Sequence, residues 1–399
     1  MNAQPSTGIP THPGARLGLL SIFGSTFFEL IGYFMLLPLL LLRLKGAEVS
    51  TTVAGLFAAT GWLGVFLVTP FASAVTQQLG RRQTLWLAAA LPVISSVGFA
   101  LSNTLWLWFV LQLVAGVASG LRWVLAEAIV AEFCPPGQRG RYVGIFETMV
   151  GATFVIGPAT LVWVGANSPH ALWVVIAFFT IALGWSALIP PLPPAADIHT
   201  ARVGLHGVWH ALRAHPIIML AGFVGGFFES GVTSILPLYG LALGLSAATA
   251  ALLVSSSGLG SALTMLPAGM LADRFTDPSQ GRRTLMVMFA ALTLVATCVI
   301  PVVAHIAWLA WPLVFLWGGA GGSLYTLAMI DIGSREQGIT LVNSTAVLVL
   351  TYTLGGLVAS GASGALIQWS PTLGFPALLV SVAGVGLVAL IRTRRSRHI

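Results

Sequence analysis

From residue 17 onward the chain alternates long apolar runs with short polar punctuation, and the runs are too long for strands or for one buried face of an amphipathic helix. They lie near residues 17–42, 51–75, 83–101, 104–132, 141–165, 169–189, 216–240, 247–272, 283–303, 307–332, 339–367 and 372–391. Each is about 20 residues or longer, which at about 1.5 Å per residue spans a hydrocarbon core of about 30 Å. Lipid offers no partner to an exposed backbone N–H or C=O, so segments of this kind close their own hydrogen bonds as α-helices. The pattern predicts an all-α membrane protein with 12 transmembrane helices.

The polar punctuation sets an orientation. When successive loops are assigned to alternate faces, Arg16, Arg81, Arg82, Arg139, Arg141, Arg202, Arg213, Arg274, Arg282, Arg283, Arg335 and the tail Arg392, Arg394, Arg395 and Arg397 fall on one side. Only Arg43 and Lys45 fall on the other. The positive-inside rule makes the loaded side cytoplasmic, with both termini inside and an even number of spans, as in a bacterial inner-membrane protein. Trp106, Trp108, Trp163, Trp308, Trp311 and Trp369 fall at the expected outer ends, where amphipathic rings prefer the interface.

Composition agrees with lipid as the solvent. The 399 residues are 57% hydrophobic and 7% charged, where a soluble domain is nearer one quarter charged. The net charge of +7 would suit nucleic acid, but the arginines stand singly or in pairs at the ends of apolar runs and form no basic surface, so no nucleic-acid partner is expected. Cys134 and Cys298 have no neighbours at metal-ligand spacing and read as packing thiols, so neither a disulfide nor a metal site is indicated. No P-loop or other cofactor motif is present, and no nucleophile, base and orienter stand together as an enzyme would need. Residues Met1 to Ala15 lack the basic flank and short apolar core of a cleaved signal and read as a loose cytoplasmic tail.

The longest connection opens with Ile189-Pro-Pro-Leu-Pro-Pro and carries His199, His206, His210 and His215. It reads as an amphipathic linker at the membrane surface, and no metal ligand is assigned to it. The expected organisation is a tail (1–16), a six-helix bundle (17–189), a cytoplasmic linker (190–215), a second six-helix bundle (216–391) and a basic tail (392–399). The two bundles also repeat one another. Phe27-Phe28-Glu29 followed by Pro38-Leu39 is answered by Phe227-Phe228-Glu229 followed by Pro237-Leu238. Gly61 to Gly64, Pro70 and Gly80-Arg81-Arg82 are answered by Gly258 to Gly260, Pro267 and Gly281-Arg282-Arg283. Duplicated six-span units place a site between the halves near the bilayer midplane and imply alternating access by rocking one half on the other.

At the end of the eighth run stands Gly269-Met-Leu-Ala-Asp273-Arg274-Phe275, followed after an insert by Gly281-Arg282-Arg283. This resembles the cytoplasmic loop signature of the major facilitator superfamily, and with the six-plus-six layout the resemblance covers essentially the whole chain. It implies that Gly269, Asp273, Arg274, Gly281, Arg282 and Arg283 form a charge-assisted gate that holds two helix ends in one conformation and releases them in another. The first-half copy, Ser73 to Arg82, offers Thr76 or Gln77 where the family has an acid, so its latch is weakened. Gly151 and Gly157-Pro158 resemble part of the glycine signature of proton-driven exporters. The family arginine of the fourth span is replaced by Gln112, and Arg122 follows ten residues later. That span, with Leu327-Ala328-Met329 through Tyr352-Thr-Leu-Gly-Gly356, is similar to the YcaD-like branch.

A charge near the bilayer centre costs at least about 2.5–3.5 kcal/mol, so each needs a reason. Glu29 and Glu229 lie about 13 and 14 residues above Arg16 and His215, roughly 20 Å into the membrane. Arg122 is similarly deep. Glu127 and Glu147 lie nearer the cytoplasm, and Glu132 and Asp331 are expected to snorkel to the interface. Arg122 and Glu127 diverge by about 140 degrees around their helix, so Arg122 must look to another element. The resemblance places the first, fourth, seventh and tenth helices around a central cavity and thereby makes Glu29, Arg122 and Glu229 neighbours.

Two roles fit these charges, a structural ion pair and a coupling site. The functional reading gives Glu29 and Glu229 to proton coupling. It gives Phe28, Tyr33, Arg122, Trp123, Glu127, Tyr325 and Asn343 to a solute pocket. The expectation is a monomeric, proton-coupled secondary transporter that exports a small amphipathic or cationic solute. Uptake or facilitated diffusion of an organic anion held by Arg122 is the alternative within transport. A membrane sensor that binds without moving its ligand is the alternative outside it.

Overall fold

Side chains in lipid gain little by an amphipathic stripe, so helix packing here rests on close backbone approach. The computed structural model describes residues 15–133, 139–190, 209, 212–213, 216–272, 278–299, 302, 306–335 and 338–395. Within its helices, the side chains of Thr76, Gln77, Glu127, Glu147 and Asn343 are not among those described, nor are Asp273, Arg274 and the four linker histidines.

The described helices are α1 (Ala15–Gly46), α2 (Thr51–Val68), α3 (Ala72–Leu79), α4 (Arg81–Leu101), α5 (Leu105–Phe133), α6 (Arg139–Val164), α7 (Ala171–Ala187), α8 (Pro216–Gly226), α9 (Thr233–Ala242), α10 (Ala247–Ala272), α11 (Pro278–Cys298), α12 (Ala310–Arg335), α13 (Gly338–Trp369) and α14 (Gly374–Arg395). A 3-10 turn, Thr69–Phe71, carries α2 into α3, and a π-helical turn, Phe227–Val232, carries α8 into α9. Nine spans among the described residues are long and apolar enough to cross a membrane. Two further apolar helices, Thr148–Val164 and Ala171–Ala187, are shorter.

Local chemistry fixes the ends. Ser50 caps α2 by accepting the Val53 N–H at 3.3 Å, which satisfies one of the orphan donors of a helix start. Gly80 precedes α4 with φ +81, a left-handed conformation that a side chain would strain. Its sequence counterpart behaves differently. The ninth run was expected at 283–303, but α11 starts at Pro278, where the ring's fixed φ and missing N–H suit a helix start. Gly281 therefore lies inside a helix rather than in a turn.

Packing follows the small residues. A methyl group on Gly116 of α5 would clash with the Gly61 carbonyl oxygen of α2, and one on Gly318 of α12 with the Ser257 carbonyl oxygen of α10. The α2–α5 and α10–α12 crossings thus use the same device in the two repeats. Helices from before and after the linker also meet: α2 packs on α13, and α6 on α10. Along the first seam Thr52 donates its N–H and hydroxyl to Gln368 Oε1 at 2.9 and 2.6 Å, and Gly55 abuts Gly364. Along the second, Ser255 donates to the Val155 carbonyl at 3.1 Å.

Three expectations are corrected here. Asp331 does not snorkel. It is buried on α12, where its Oδ1 accepts from Arg282 Nε of α11 at 3.0 Å, because a cation on the neighbouring helix replaces the hydration that the carboxylate would otherwise need. Trp108 is not an interfacial anchor: it is buried against Phe57 and Phe99, with its indole N–H on the Ser102 carbonyl at 2.6 Å. Cys298 is exposed at the last turn of α11 rather than packed inside.

Candidate functional site

α1 and the α8–α9 rod each present a glutamate to the same space. A cavity of about 150 Å³ is lined by Glu29 and Tyr33 of α1, Trp62 of α2, Arg122 and Trp123 of α5, Glu229 of the π turn, Tyr325 of α12 and Tyr352 of α13, among others. Of the residues expected at the site, Glu29, Tyr33, Arg122, Trp123, Glu229 and Tyr325 are brought together there. Phe28 is not: its ring stacks on Phe178 of α7 at 6.4 Å between centroids, on the side of α1 turned away from the cavity. Glu127 and Asn343 lie on α5 and α13 with undescribed side chains. Of the expected gate, Gly269 is buried near the end of α10, Gly281 and Arg282 are buried, and Arg283 is half-buried in the first turns of α11.

The two glutamates are held in different ways. Glu29 Oε2 lies 2.6 Å from Arg122 Nε, and both side chains are buried. The contact is a close ion pair rather than an aligned hydrogen bond. Arg122 is steadied from behind by donating Nη1–H to Ser186 Oγ of α7 at 3.1 Å, and that hydroxyl passes its own proton to the Ala182 carbonyl at 2.9 Å. The Ser186 carbonyl accepts the Trp86 indole N–H of α4 at 2.8 Å, and Arg82 lies 4.5 Å above the Trp86 ring. Four helices thus position one guanidinium. Its Nη2, also buried, has no hydrogen-bond partner among the described residues.

Glu229 has no cationic side chain at ion-pair distance among the described residues. Hydroxyls hold it instead: Ser261 donates to Oε1 and Tyr352 to Oε2, each at 2.9 Å. Ser230 makes a short contact with the same Tyr352 hydroxyl. The π turn widens the backbone at this point, and Gly321 and Gly322 of α12 leave room beside it; a methyl group on Gly322 would stand 2.9 Å from Oε1. Such turns inside membrane helices recur where function needs a side chain re-aimed.

Sequence reasoning missed Trp62, Ser261 and Tyr352. Tyr352 is the hub, with Trp62, Trp123 and Tyr325 ring centroids 6.4, 5.7 and 4.8 Å from its own, all near edge-to-face. Trp62 is fixed by donating its indole N–H to Ser234 Oγ at 3.1 Å. The sequence gives a weak signal for them, since aromatic and serine residues are common in membrane helices and none stands at a special spacing.

The described residues contain no cluster of three or more potential metal ligands. The arrangement is a small, largely apolar cavity between helices of both repeats, holding one neutralised ion pair and one carboxylate that has no cation among the described residues.

Comparison with known proteins bears on the family and the fold. The chain is 28% identical over 389 residues to an MFS-type transporter of Yersinia enterocolitica, covering 96% of each. It is 24% identical to YfkF of Bacillus subtilis over 338 residues, 84% of each chain. It is also 24% identical to YcaD of Salmonella arizonae over 368 residues, 88% of this chain and 89% of the other. The fold superposes on a crystal structure of the nucleoside transporter NupG with TM-score 0.74 at 13% identity, covering 94% of this chain and 98% of that one. It superposes on a D-xylose-proton symporter with TM-score 0.74 at 16% identity, covering 94% and 96%. The Major Facilitator Superfamily model matches residues 22–339; the chain belongs to that superfamily and is a multi-pass membrane transporter, not an enzyme.

Proposed function

We propose that the protein is a proton-coupled exporter of a small amphipathic or cationic solute, working as a monomer in a bacterial inner membrane with both termini in the cytoplasm. Residues 17–189 and 216–391 act as the two rocking bodies, and the α10–α11 signature, with Asp273 and Arg274 at its centre, gates them. The observation that carries the reading is the cavity shared by both repeats, in which Glu29 already has Arg122 while the described side chains that bond Glu229 are hydroxyls. A carboxylate at such depth is held ionised only by a partner, and when none is present a proton neutralises it. Proton and solute then compete for one group, and competition couples their movement. A D-xylose-proton symporter shares the fold, so proton coupling is compatible with the architecture.

A second reading, uptake of an organic anion, rests on Arg122 Nη2 and its lack of a hydrogen-bond partner. Flux in proteoliposomes with and without an imposed pH gradient separates the two. Export coupled to protons gives accumulation only with the gradient, and Glu229→Gln abolishes that accumulation while leaving gradient-free exchange. Gradient-independent movement that Arg122→Lys abolishes supports the anion instead, and binding without any flux supports a sensor.

A further inference from the structure

The formal charges of the described ionisable residues lining the cavity are Glu29 −1, Arg122 +1 and Glu229 −1. The first two cancel in a 2.6 Å pair. One negative charge is left, at a position where four aromatic rings converge: Trp62 and Trp123 from the first repeat, Tyr325 and Tyr352 from the second. Aromatic faces attract a desolvated cation, and a tryptophan face attracts it most. The space, about 150 Å³, is the size that admits one benzene ring.

We propose that Glu229 with Trp62, Trp123, Tyr325 and Tyr352 forms a cation subsite for a single-ring organic monocation, and that one proton and one such cation exclude each other there. This rests on the transport reading above and gives it a substrate class. A one-for-one exchange keeps the cavity neutral in both states, so movement of the cation against a proton carries no net charge. Glu29 has no part in the exchange, because Arg122 remains beside it. Of the elements packed against the π turn, α8, α9, α10, α12 and α13, the titratable groups at Glu229 are Tyr325 and Tyr352, and α10 adds the Ser261 hydroxyl. Glu29 and Arg122 stand across the same cavity.

The test is binding of N-methylpyridinium, a permanent single-ring cation, to the full chain in detergent by titration calorimetry, with toluene and benzoate as neutral and anionic counterparts. The cation is expected to bind more tightly than either. On the acid side of the carboxylate's titration its affinity is expected to fall about tenfold per pH unit, the slope of competition with one proton. Glu229→Gln is expected to weaken binding at least about tenfold and remove that slope, and Trp123→Leu to weaken it about three- to tenfold. Tighter binding of benzoate, a pH-independent affinity in the unsubstituted protein, or unchanged affinity in folded Glu229→Gln would each overturn the proposal. If Glu229→Gln does not fold, the charge series and the pH slope of the unsubstituted protein decide. Binding of the cation with no gradient-driven flux leaves the subsite standing and removes the coupling reading. Glu229-dependent, gradient-driven flux of another solute with no cation binding removes the subsite alone.

Discussion

At the scale of single residues, the two glutamates show how matched sequence contexts end in different surroundings. Both follow a Phe-Phe pair at similar depth, and nothing in that local pattern tells them apart. The difference comes from helices far away in the chain: α5 brings Arg122 to Glu29, while the described residues of α10 and α13 bring hydroxyls to Glu229. Breaking a buried pair strands its surviving charge, at a cost of about 3–5 kcal/mol. Arg122→Met should therefore lower the melting temperature of purified protein sharply, and the double variant with Glu29→Gln should recover most of the loss. Glu229→Gln should change stability by no more than about 1 kcal/mol, since an amide can still accept from one hydroxyl and turn a donor to the other. A melting temperature of Glu229→Gln as low as that of Arg122→Met would show that the carboxylate has a hidden cation.

At the scale of elements, the bundle is set by backbone-to-backbone approach. Glycines in apolar runs are visible in sequence, but which of them face a helix is not, because the runs are apolar all round and have no polar face to orient them. Gly116 and Gly184 illustrate the point: the first touches Gly61 of α2, and the second has nothing within 4 Å. Gly116→Ala is expected to destabilise by about 1–3 kcal/mol through overpacking. Gly184→Ala is expected to be neutral or to stabilise by up to about 1 kcal/mol from helix propensity. Thermal melting of both variants measures the contrast, and equal effects would contradict the packing of α2 on α5. The π turn was likewise invisible, since Phe227 to Val232 reads as an ordinary stretch of an apolar run.

At the scale of the whole molecule, the two seams α2–α13 and α6–α10 join the repeats, and alternating access requires them to part in turn. A methyl group on Gly361 would lie 3.7 Å from the Ala59 Cβ, within the Cβ separation of disulfides. With Cys134 and Cys298 replaced by serine, the pair Ala59→Cys and Gly361→Cys should cross-link under mild oxidation and stop transport, and reduction should restore it. Undiminished transport by the cross-linked protein would mean that the seam stays shut throughout the cycle. Orientation is tested separately: a reporter active only outside the cytoplasm, fused to Ile399, should stay silent, and a strong signal would reverse the topology.

The sequence by itself determined the solvent, the helical class and the superfamily, because each follows from one-dimensional quantities: the length of apolar runs, the spacing of arginines and a loop signature repeated in order. It also marked Glu29, Arg122 and Glu229 as out of place, since a charge inside an apolar run is conspicuous in sequence. Which groups stand beside each of them was decided only by tertiary structure. Asp331 shows the same division, as its place near the cytoplasmic end of an apolar run suggested snorkelling to the interface, whereas the packing of α11 on α12 buried it against Arg282. The physical reason is that a charge declares its cost locally, through the hydration it gives up. Its compensation comes from whichever helices happen to pack beside it, and in a chain apolar on every face their identity is fixed by three-dimensional contact alone.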